Sequence, residues 1–338
     1  MTTNTNNKDM LPQLDAAVGM AAASQMPQME KSFINVELFN AYVEVGKRMD
    51  TPTELSRYVL VKGETTFLFG DAGIGKSTHA LQIALDLAEK DETVLYVNFE
   101  LSQQQLAKKF TDKTIPNKFY IANIDYSLMS DVTDQSLILG EIERRALELK
   151  ATVLIIDNFT NLCINSKEGK DAGNIMLKLM SLRMTHQWTM LILAHVPKRK
   201  PCDPLTLNDL AGSKILSNMA DNVVGINRSK IAKNKRYIIQ LKYRSLPIIL
   251  DFKNVLEMTL TEEGGYLHFE YGGFAEERTH LPRNRDEKEE LEKEIADELR
   301  KPQRKNYREI AEMLGTSPSK VARVAKELSD DSRPNKSK

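Results

Sequence analysis

The clearest chemistry in this chain lies in eight consecutive residues that form a phosphate-binding loop. They read Gly70-Asp71-Ala72-Gly73-Ile74-Gly75-Lys76-Ser77, and Thr78 follows them. The pattern is G-x-x-x-x-G-K-[ST], in which glycines let the backbone turn its N–H groups toward phosphates. Lys76 would neutralise the β and γ oxygens of a triphosphate, and Ser77 would ligate Mg²⁺. The loop therefore predicts a site for a nucleoside triphosphate and Mg²⁺.

The segments on either side predict the strand and the helix that such a loop needs. Residues 65–69 are apolar and favour a strand, whereas residues 78–85 have helical spacing. The N-terminus of that helix would add a favourable dipole for anionic oxygens. The alternative is a glycine turn that matches the motif by chance, and the strand and helix in register disfavour it.

Two carboxylates follow strand-like segments and could serve hydrolysis. Asp157 ends an apolar run at residues 152–156 and would hold Mg²⁺, with a turn or helix cap as its alternative role. Asn158 comes next, and an amide cannot take a proton. Glu100 follows the strand-like residues 94–99, and neighbouring strand ends lie about 5 Å apart. Glu100 is therefore the candidate base for the attacking water, with helix capping as its alternative.

A histidine closes another strand-like segment. His195 follows the apolar residues 191–194, so it would lie at the carboxyl end of a core strand, where ligands bind in open α/β sheets. A neutral imidazole there could hydrogen-bond the γ-phosphate and report its presence to the next loop. The alternative is a histidine that is satisfied within the core.

Composition limits the classes of protein and partner. Lys and Arg total 47 and so do Asp and Glu, so any attraction to nucleic acid must be local. Cys163 and Cys202 lack the spacing of a metal site and are too few for a disulfide framework, which fits a reducing cytosol. No run of eighteen apolar residues occurs. We therefore expect a cytoplasmic protein without a membrane span.

The order of the elements predicts an α/β fold. Strands and helices alternate over residues 62–273, which is typical of a mainly parallel sheet flanked by helices. Short strands then follow closely enough to pair as antiparallel hairpins at the C-terminal side; they are predicted at 237–243, 247–252, 255–261 and 266–271. The predicted divisions are a mostly disordered tail (1–35), a nucleotide-binding domain (36–275), a charged helical linker (276–302), a small all-α segment (303–329) and a tail (330–338).

The all-α segment has the pattern of a helix-turn-helix. A helical run from Tyr307 ends before Gly315, and a second helix can begin at Pro318. Lys320 and Arg323 lie on one face of the second helix. Ser319 and Lys320 would lie nearest base edges, and phosphates would meet the basic residues Lys320, Arg323, Arg300, Lys301, Arg304, Lys305 and Arg308. The alternative is a hairpin that binds protein or mediates oligomerisation.

With these residues the chain resembles the RecA-like ATPases, in the branch of DnaB-type helicases and the RepA and RadA-like hexameric ATPases. Residues 100–106 resemble the branch's strand-end glutamate and the helix after it, and residues 209–227 resemble a loop and helix that lead to a sheet strand. Lys242-Tyr243-Arg244 resembles a Lys-x-Arg pair that reaches the ATP of a neighbouring subunit. Glu100-Leu101 and the segment at 194–198 favour the RepA-like side.

The resemblance implies a homo-oligomer, with a hexamer expected, that hydrolyses ATP with Mg²⁺. Lys242 and Arg244 would act in the neighbour's site, and the His195 strand would lie between the strands ending at the loop and at Asp157. The loops after Asn161 and His195 would face a channel for single-stranded DNA. The second loop would contact the phosphates of that strand through Lys198, Arg199 and Lys200. The helix-turn-helix could bind a duplex.

These inferences favour an ATP-driven DNA motor. It would be a RepA-like helicase, or a replication or mobilisation ATPase of a plasmid or other mobile element. One alternative is an ATP-controlled, DNA-bound regulatory or loader protein without helicase activity. A third is a clock-like or recombination-mediator ATPase that does not translocate.

Overall fold

The computed structural model describes most of the chain between residues 34 and 331. The described residues are 34, 36–125, 127, 135–163, 170–197, 199–200, 202–210, 214–282, 285–302 and 305–331. The predicted tails fall largely outside these residues, and so does Lys198. Residues up to Thr51 form a compact unit of their own, in which none of the residues of helix α1 is buried.

Strands and helices alternate over the first two thirds of the described chain. The strands are β1 (Glu54–Ser56), β2 (Leu60–Val61), β3 (Thr65–Gly70), β4 (Val94–Asn98), β5 (Phe119–Asn123), β6 (Val153–Asp157), β7 (Thr189–His195), β8 (Asn222–Arg228), β9 (Lys235–Tyr243), β10 (Val255–Glu263) and β11 (Tyr266–Ala275). The helices are α1 (Phe39–Gly46), α2 (Lys76–Glu89), α3 (Gln103–Lys109), α4 (Gln135–Leu149), α5 (Phe159–Leu162), α6 (Lys170–His186), α7 (Lys214–Met219), α8 (Glu277–His280), α9 (Arg285–Arg300), α10 (Tyr307–Met313) and α11 (Pro318–Asp331).

Nine strands form one sheet in the order β11-β10-β9-β8-β3-β7-β6-β4-β5. The strands from β8 to β5 run parallel, and β9, β10 and β11 add antiparallel pairs beside β8. This confirms the predicted fold class. It also places β7 between β3 and β6, so that the carboxyl ends of all three strands meet at one edge.

The central parallel strands are buried on both faces. Every residue of β4 and β6 is buried, which explains their continuous apolar sequences. One face packs in a core with Trp188, Leu179 and Phe159, and the other packs against α2 in a core with Tyr96, Leu81 and Phe269. Strands buried in this way hold the residues at their ends in fixed positions.

Two details of the sheet differ from the sequence prediction. The expected strand at 247–252 is wrong: this segment is irregular and is held by the Gln240 side chain, whose Oε1 accepts from the amides of Ile249 and Leu250. β5, an edge strand with exposed positions, was not predicted.

The β10–β11 hairpin lies on α2 behind the phosphate-binding loop. The Gln82 side chain bonds both backbone groups of Phe269, donating to its carbonyl at 3.0 Å and accepting from its amide at 2.9 Å. Gly75 has a φ of 109°, and a Cβ on it would lie 2.6 Å from the Phe269 ring. Gly75 therefore has both a conformational and a steric reason to be glycine.

α8 belongs to the sheet and not to the charged linker. Glu277 and His280 are buried, and the Tyr237 hydroxyl donates to Glu277 at 2.8 Å. α8 therefore packs against the sheet, just beyond the boundary expected at residue 275.

The three helices after residue 284 build a small core of their own. It contains Leu291 and Ile295 of α9, Ile310 of α10, and Val321 and Val324 of α11. Gly315 turns between α10 and α11 with a φ of 56°, as a glycine between two helices allows. In the described part of the chain, no helix has both the length and the apolar character needed to cross a bilayer.

We expect acid to weaken the folded state through His280. Its Nδ1 lies 2.8 Å from the Ser229 hydroxyl and its ring stacks on Tyr237. The charged groups near it are Glu257, Lys235 and Lys230. Burial lowers the pKa of His280 below its ordinary 6.5. Below pH 6.5 the unfolded chain therefore binds a proton that the folded chain excludes, and the free energy of unfolding falls.

Urea unfolding of the wild type and of His280→Gln, at neutral and mildly acidic pH, measures this effect. The variant should lose less stability than the wild type on acidification. The same substitution at His268, on the β10–β11 hairpin, controls for loss of a histidine elsewhere. Equal losses in the wild type and in His280→Gln would contradict the expectation.

Candidate nucleotide site

The phosphate-binding loop connects β3 to α2. β3 ends at Gly70 and α2 begins at Lys76. Gly73 and Gly75 have φ values of 66° and 109°, a region in which residues with a Cβ are strained. The strand, the two glycines and the helix agree with the sequence prediction, because all of these signals are local.

Three arginines from distant segments hold the outside of the loop. Arg199 donates from Nε to the Asp71 carboxylate at 3.0 Å. Arg228 and Arg236 donate to the carbonyls of Ala72 and Ile74, at 3.2 and 3.1 Å. The bracing of the loop was not expected from the sequence, since the three arginines lie 128 to 162 residues away.

Lys76 is buried at the centre of the site. Its ammonium donates to the carbonyls of Gly70 and Asp71, at 2.8 and 3.0 Å, and lies 3.1 Å from His195 Nδ1. Burial lowers the pKa of Lys76 to about 8, against the attraction of nearby carboxylates. The Lys76 ammonium thus faces Nδ1, and the Asn158 amide nitrogen faces Nε2 at 3.0 Å, so both ring nitrogens of His195 lie against donors.

His195 connects Lys76 to Glu100. His195 Nε2 also lies 3.3 Å from Glu100 Oε1. The Asn158 amide also donates to Glu100. The structure therefore brings Lys76 of the loop together with His195 and Glu100, which were expected there from the ends of their strands. It adds Asn158, which the sequence had only excluded as a base.

Asp157 lies beside Ser77 in the same site. Asp157 is 1% exposed, and it accepts from the Tyr96 hydroxyl at 2.6 Å and from the Ser77 hydroxyl. Burial raises the pKa of Asp157, although these hydrogen bonds oppose the shift. A buried carboxylate and a hydroxyl are hard oxygen donors of the kind that Mg²⁺ prefers. The residues present therefore fit Mg²⁺ bound with a triphosphate.

Lys109 is a second cation near the site, half-buried, that the sequence did not single out. It ends α3 and donates to the Thr78 hydroxyl at 3.0 Å. Burial lowers its pKa, against the attraction of Asp157. Its distance in sequence from the loop explains why no motif indicated it.

Lys242 and Arg244 lie at the other end of the sheet. Lys242 donates to the carbonyls of Ser217, Asn218 and Ala220, at 2.9, 3.1 and 2.6 Å. Arg244 pairs with Asp221 at 3.0 Å and is 52% exposed. Tyr243, which precedes Arg244, pairs with the first residue of β8, and that residue pairs with Thr66 of β3. Four residues separate that position from the end of β3, about 13 Å along the strand.

The predicted DNA contacts are spread over two regions. The Arg199 side chain is 10% exposed and donates to Asn227 at 2.7 Å as well as to Asp71. Its guanidinium therefore already has partners within the chain. Lys200 is exposed, and Lys198 lies outside the described residues. In the C-terminal helices, Lys320 and Arg323 both pair with Glu292, at 3.4 and 2.5 Å, whereas Ser319 is exposed.

Tyr96→Phe should weaken the use of Mg²⁺. The lost hydroxyl orients the Asp157 carboxylate, and groups that orient metal ligands typically contribute about tenfold or more in metal affinity. We expect the Mg²⁺ concentration for half-maximal ATP hydrolysis to rise about tenfold, with little change in kcat at saturating Mg²⁺. Tyr120→Phe, on the edge strand β5, is the matched control. An unchanged Mg²⁺ titration would show that Tyr96 has no such role.

Comparisons with known proteins give one family model and several relatives of modest identity. The family model described as "AAA domain" matches residues 39–201, a span that includes the loop, Glu100, Asp157 and His195. The DNA repair protein RadA of Streptococcus pyogenes serotype M6 is 29% identical over 221 residues, which are 62% of this chain and 42% of that protein. RadA of Chlamydia pneumoniae is 30% identical over 195 residues, 56% of this chain and 38% of that protein.

The chain spans less than half the length of these curated relatives. Among solved structures, a KaiC-like protein of Pyrococcus horikoshii OT3 superposes with a TM-score of 0.48 and 20% identity, covering 62% of this chain and 90% of that one.

Proposed function

We propose that this chain, a RecA-like P-loop ATPase, acts as an oligomeric, DNA-dependent motor. The proposal includes its finer assignment as a RepA-like helicase, or a replication or mobilisation ATPase of a mobile element, with a hexamer as the expected assembly. The observation that carries it is the separation of Arg244 from its own loop. An exposed arginine at the far end of the sheet can complete a site only in a neighbouring copy.

The roles follow from the geometry around the loop. The loop amides and Lys76 would hold the triphosphate, and Ser77 and Asp157 would hold Mg²⁺. Glu100 would orient the attacking water and accept its proton. Arg244 of a neighbouring copy would stabilise charge on the transferred group, with Lys242 beside it.

Two contacts support coupling between the nucleotide and the segment after β7. A triphosphate would draw the Lys76 ammonium away from His195, which is the last residue of β7. Arg199 ties the same segment to Asp71 of the loop. A change at the loop would therefore move residues 196–200, where Lys198 and Lys200 are the remaining predicted contacts for single-stranded DNA.

The proposal is tested by measuring ATP hydrolysis with single-stranded DNA, with duplex and without DNA. The mass of the particle is measured in parallel by light scattering, with and without a non-hydrolysable ATP analogue. We expect stimulation by single strands, and a ring-sized assembly with the analogue. Lys76→Ala is the inactive control. The proposal would be refuted if the protein stayed monomeric under all conditions and DNA did not change its rate of ATP hydrolysis.

A DNA-bound regulatory or loader ATPase is the second candidate. It is favoured by the C-terminal helices, which have a separate core. A truncation after residue 282 separates the two functions and spares Glu277 and His280, which are buried against the sheet. A motor should keep DNA-stimulated turnover at saturating DNA, whereas a regulatory ATPase should lose its response.

A further inference from the structure

The predicted recognition face of α11 is engaged within the chain. Lys320 and Arg323, which were expected to meet DNA, both pair with Glu292 of α9. Arg323 also pairs with Glu327 at 3.1 Å. Two of the three predicted contacts on this face are thus already neutralised, so a polyanion would have to displace acidic side chains to reach them.

A basic groove lies elsewhere on the same three helices. It has a volume of about 900 Å³ and is lined by the end of α9, the segment before α10, and the later part of α11. Its cationic lining residues are Arg300, Lys301, Lys305 and Lys326. No acidic side chain is among the described residues that line it. The groove therefore offers a concave positive surface.

The acids near the groove leave it positive. Lys301 and Lys305 share one carboxylate, that of Glu298, which is only 14% exposed. Arg300 pairs loosely with Asp297 at 3.5 Å. Lys326 makes no ion pair with another described residue. Cations thus outnumber the acids that pair with them, and the partly buried Glu298 holds two lysines at the rim without lining the cavity.

An aromatic ring stands beside these cations. Tyr307 lines the groove and is 45% exposed, and Pro302 and Ala322 add carbon surface. Cations for phosphates beside an aromatic ring for a base are the combination that binds unpaired strands. A duplex would present its phosphates to the cations, but its stacked bases would leave the Tyr307 ring without a partner.

We propose that this groove binds single-stranded nucleic acid. Its phosphates contact Arg300, Lys301, Lys305 and Lys326, and one base stacks on Tyr307. This places the strand on the basic residues before α10 and on the later part of α11, and not on the face of α11 that carries Lys320 and Arg323. Binding here requires no ATP, so it is independent of the motor proposal and can fail while that proposal stands.

The test is fluorescence anisotropy of a labelled single strand with the full chain, without nucleotide. Lys326→Glu should weaken binding about tenfold and lower the slope of log K against log salt by about 0.7 or more. Lys293→Glu, an exposed lysine of α9 outside the groove, is the matched control and should bind nearly as the wild type does.

The aromatic contact is tested separately. Tyr307→Ala should weaken single-strand binding about tenfold, whereas Tyr307→Phe, which keeps the ring, should not. Residual binding to a duplex should be equal in the two variants. Circular dichroism must show unchanged helix content in each variant, and Tyr307→Phe keeps the comparison valid where the alanine variant unfolds.

Three results would overturn the proposal. The first is equal affinity of Lys326→Glu and Lys293→Glu for the strand. The second is full affinity in Tyr307→Ala. The third is competition by polyglutamate as strong as by unlabelled strand, which would assign the groove to an acidic polypeptide.

Discussion

Arg244→Ala should reduce ATP hydrolysis about a thousandfold while leaving nucleotide binding intact. Its guanidinium is half exposed and lies at the end of the sheet opposite its own loop. It therefore makes no contact that holds its own Lys76 or Ser77. An arginine supplied by a neighbour stabilises the charge of the transition state, so its loss should affect kcat and not affinity.

A mixing experiment separates a role in the neighbour from a local one. Lys76→Ala disables a loop but keeps Arg244, whereas Arg244→Ala keeps the loop. When the two inactive proteins are mixed, some interfaces join an intact loop to an intact arginine, and activity should return. Arg145→Ala, an exposed ion-paired arginine on α4, is the control and should remain active alone.

Two outcomes would contradict this role. Normal turnover by Arg244→Ala would remove the arginine from the reaction. A mixture no more active than its parts would restrict its effect to its own subunit, through Asp221. Asp221 also accepts from the Thr65 amide at 3.0 Å, so it keeps a partner when Arg244 is lost.

The sequence predicted the parts of the site that depend on local pattern and on strand ends. The loop between β3 and α2 is such a part, because its glycines, lysine and helix spacing are all contiguous. Glu100, Asp157 and His195 each end a buried parallel strand or follow one directly. Parallel strands bring these ends to one edge, so the three side chains could be placed together without knowledge of the side-chain contacts.

The sequence did not predict contacts that depend on how side chains from remote segments meet. Arg236 reaches the Ile74 carbonyl across 162 positions, and Lys109 reaches Thr78 from the far end of α3. Neither has a spacing that marks it. The expected strand at 247–252 failed for a similar reason, because the Gln240 side chain takes the place of a strand partner.

Charge pairing explains the least predictable result, at the C-terminal helices. Helical spacing placed Lys320 and Arg323 on one face, and in the structure both pair with Glu292. Glu292 lies on another helix, about thirty positions earlier. The periodicity of α11 alone gives no indication that its basic face meets an acid of α9.

Glu100→Gln should lower single-turnover hydrolysis about a hundredfold or more, with ATP affinity retained. The amide oxygen of glutamine can still accept from Asn158 and can keep the place of the Glu100 oxygen beside His195 Nε2. The local geometry is therefore kept, and only the capacity to accept a proton from water is lost. Binding is measured with a fluorescent ATP analogue, and hydrolysis is measured in a rapid-quench experiment.

Glu148→Gln, on the exposed surface of α4, is the matched control and should hydrolyse ATP at the wild-type rate. If Glu100→Gln keeps the wild-type rate, the base must be another group. Asp157 is the other strand-end carboxylate at this site, but it already accepts from Tyr96 and Ser77. Among the described residues, the contacts of the Glu100 carboxylate are with the Asn158 amide and the His195 imidazole, so it can turn toward a water molecule while Asp157 and Ser77 keep their place as magnesium ligands.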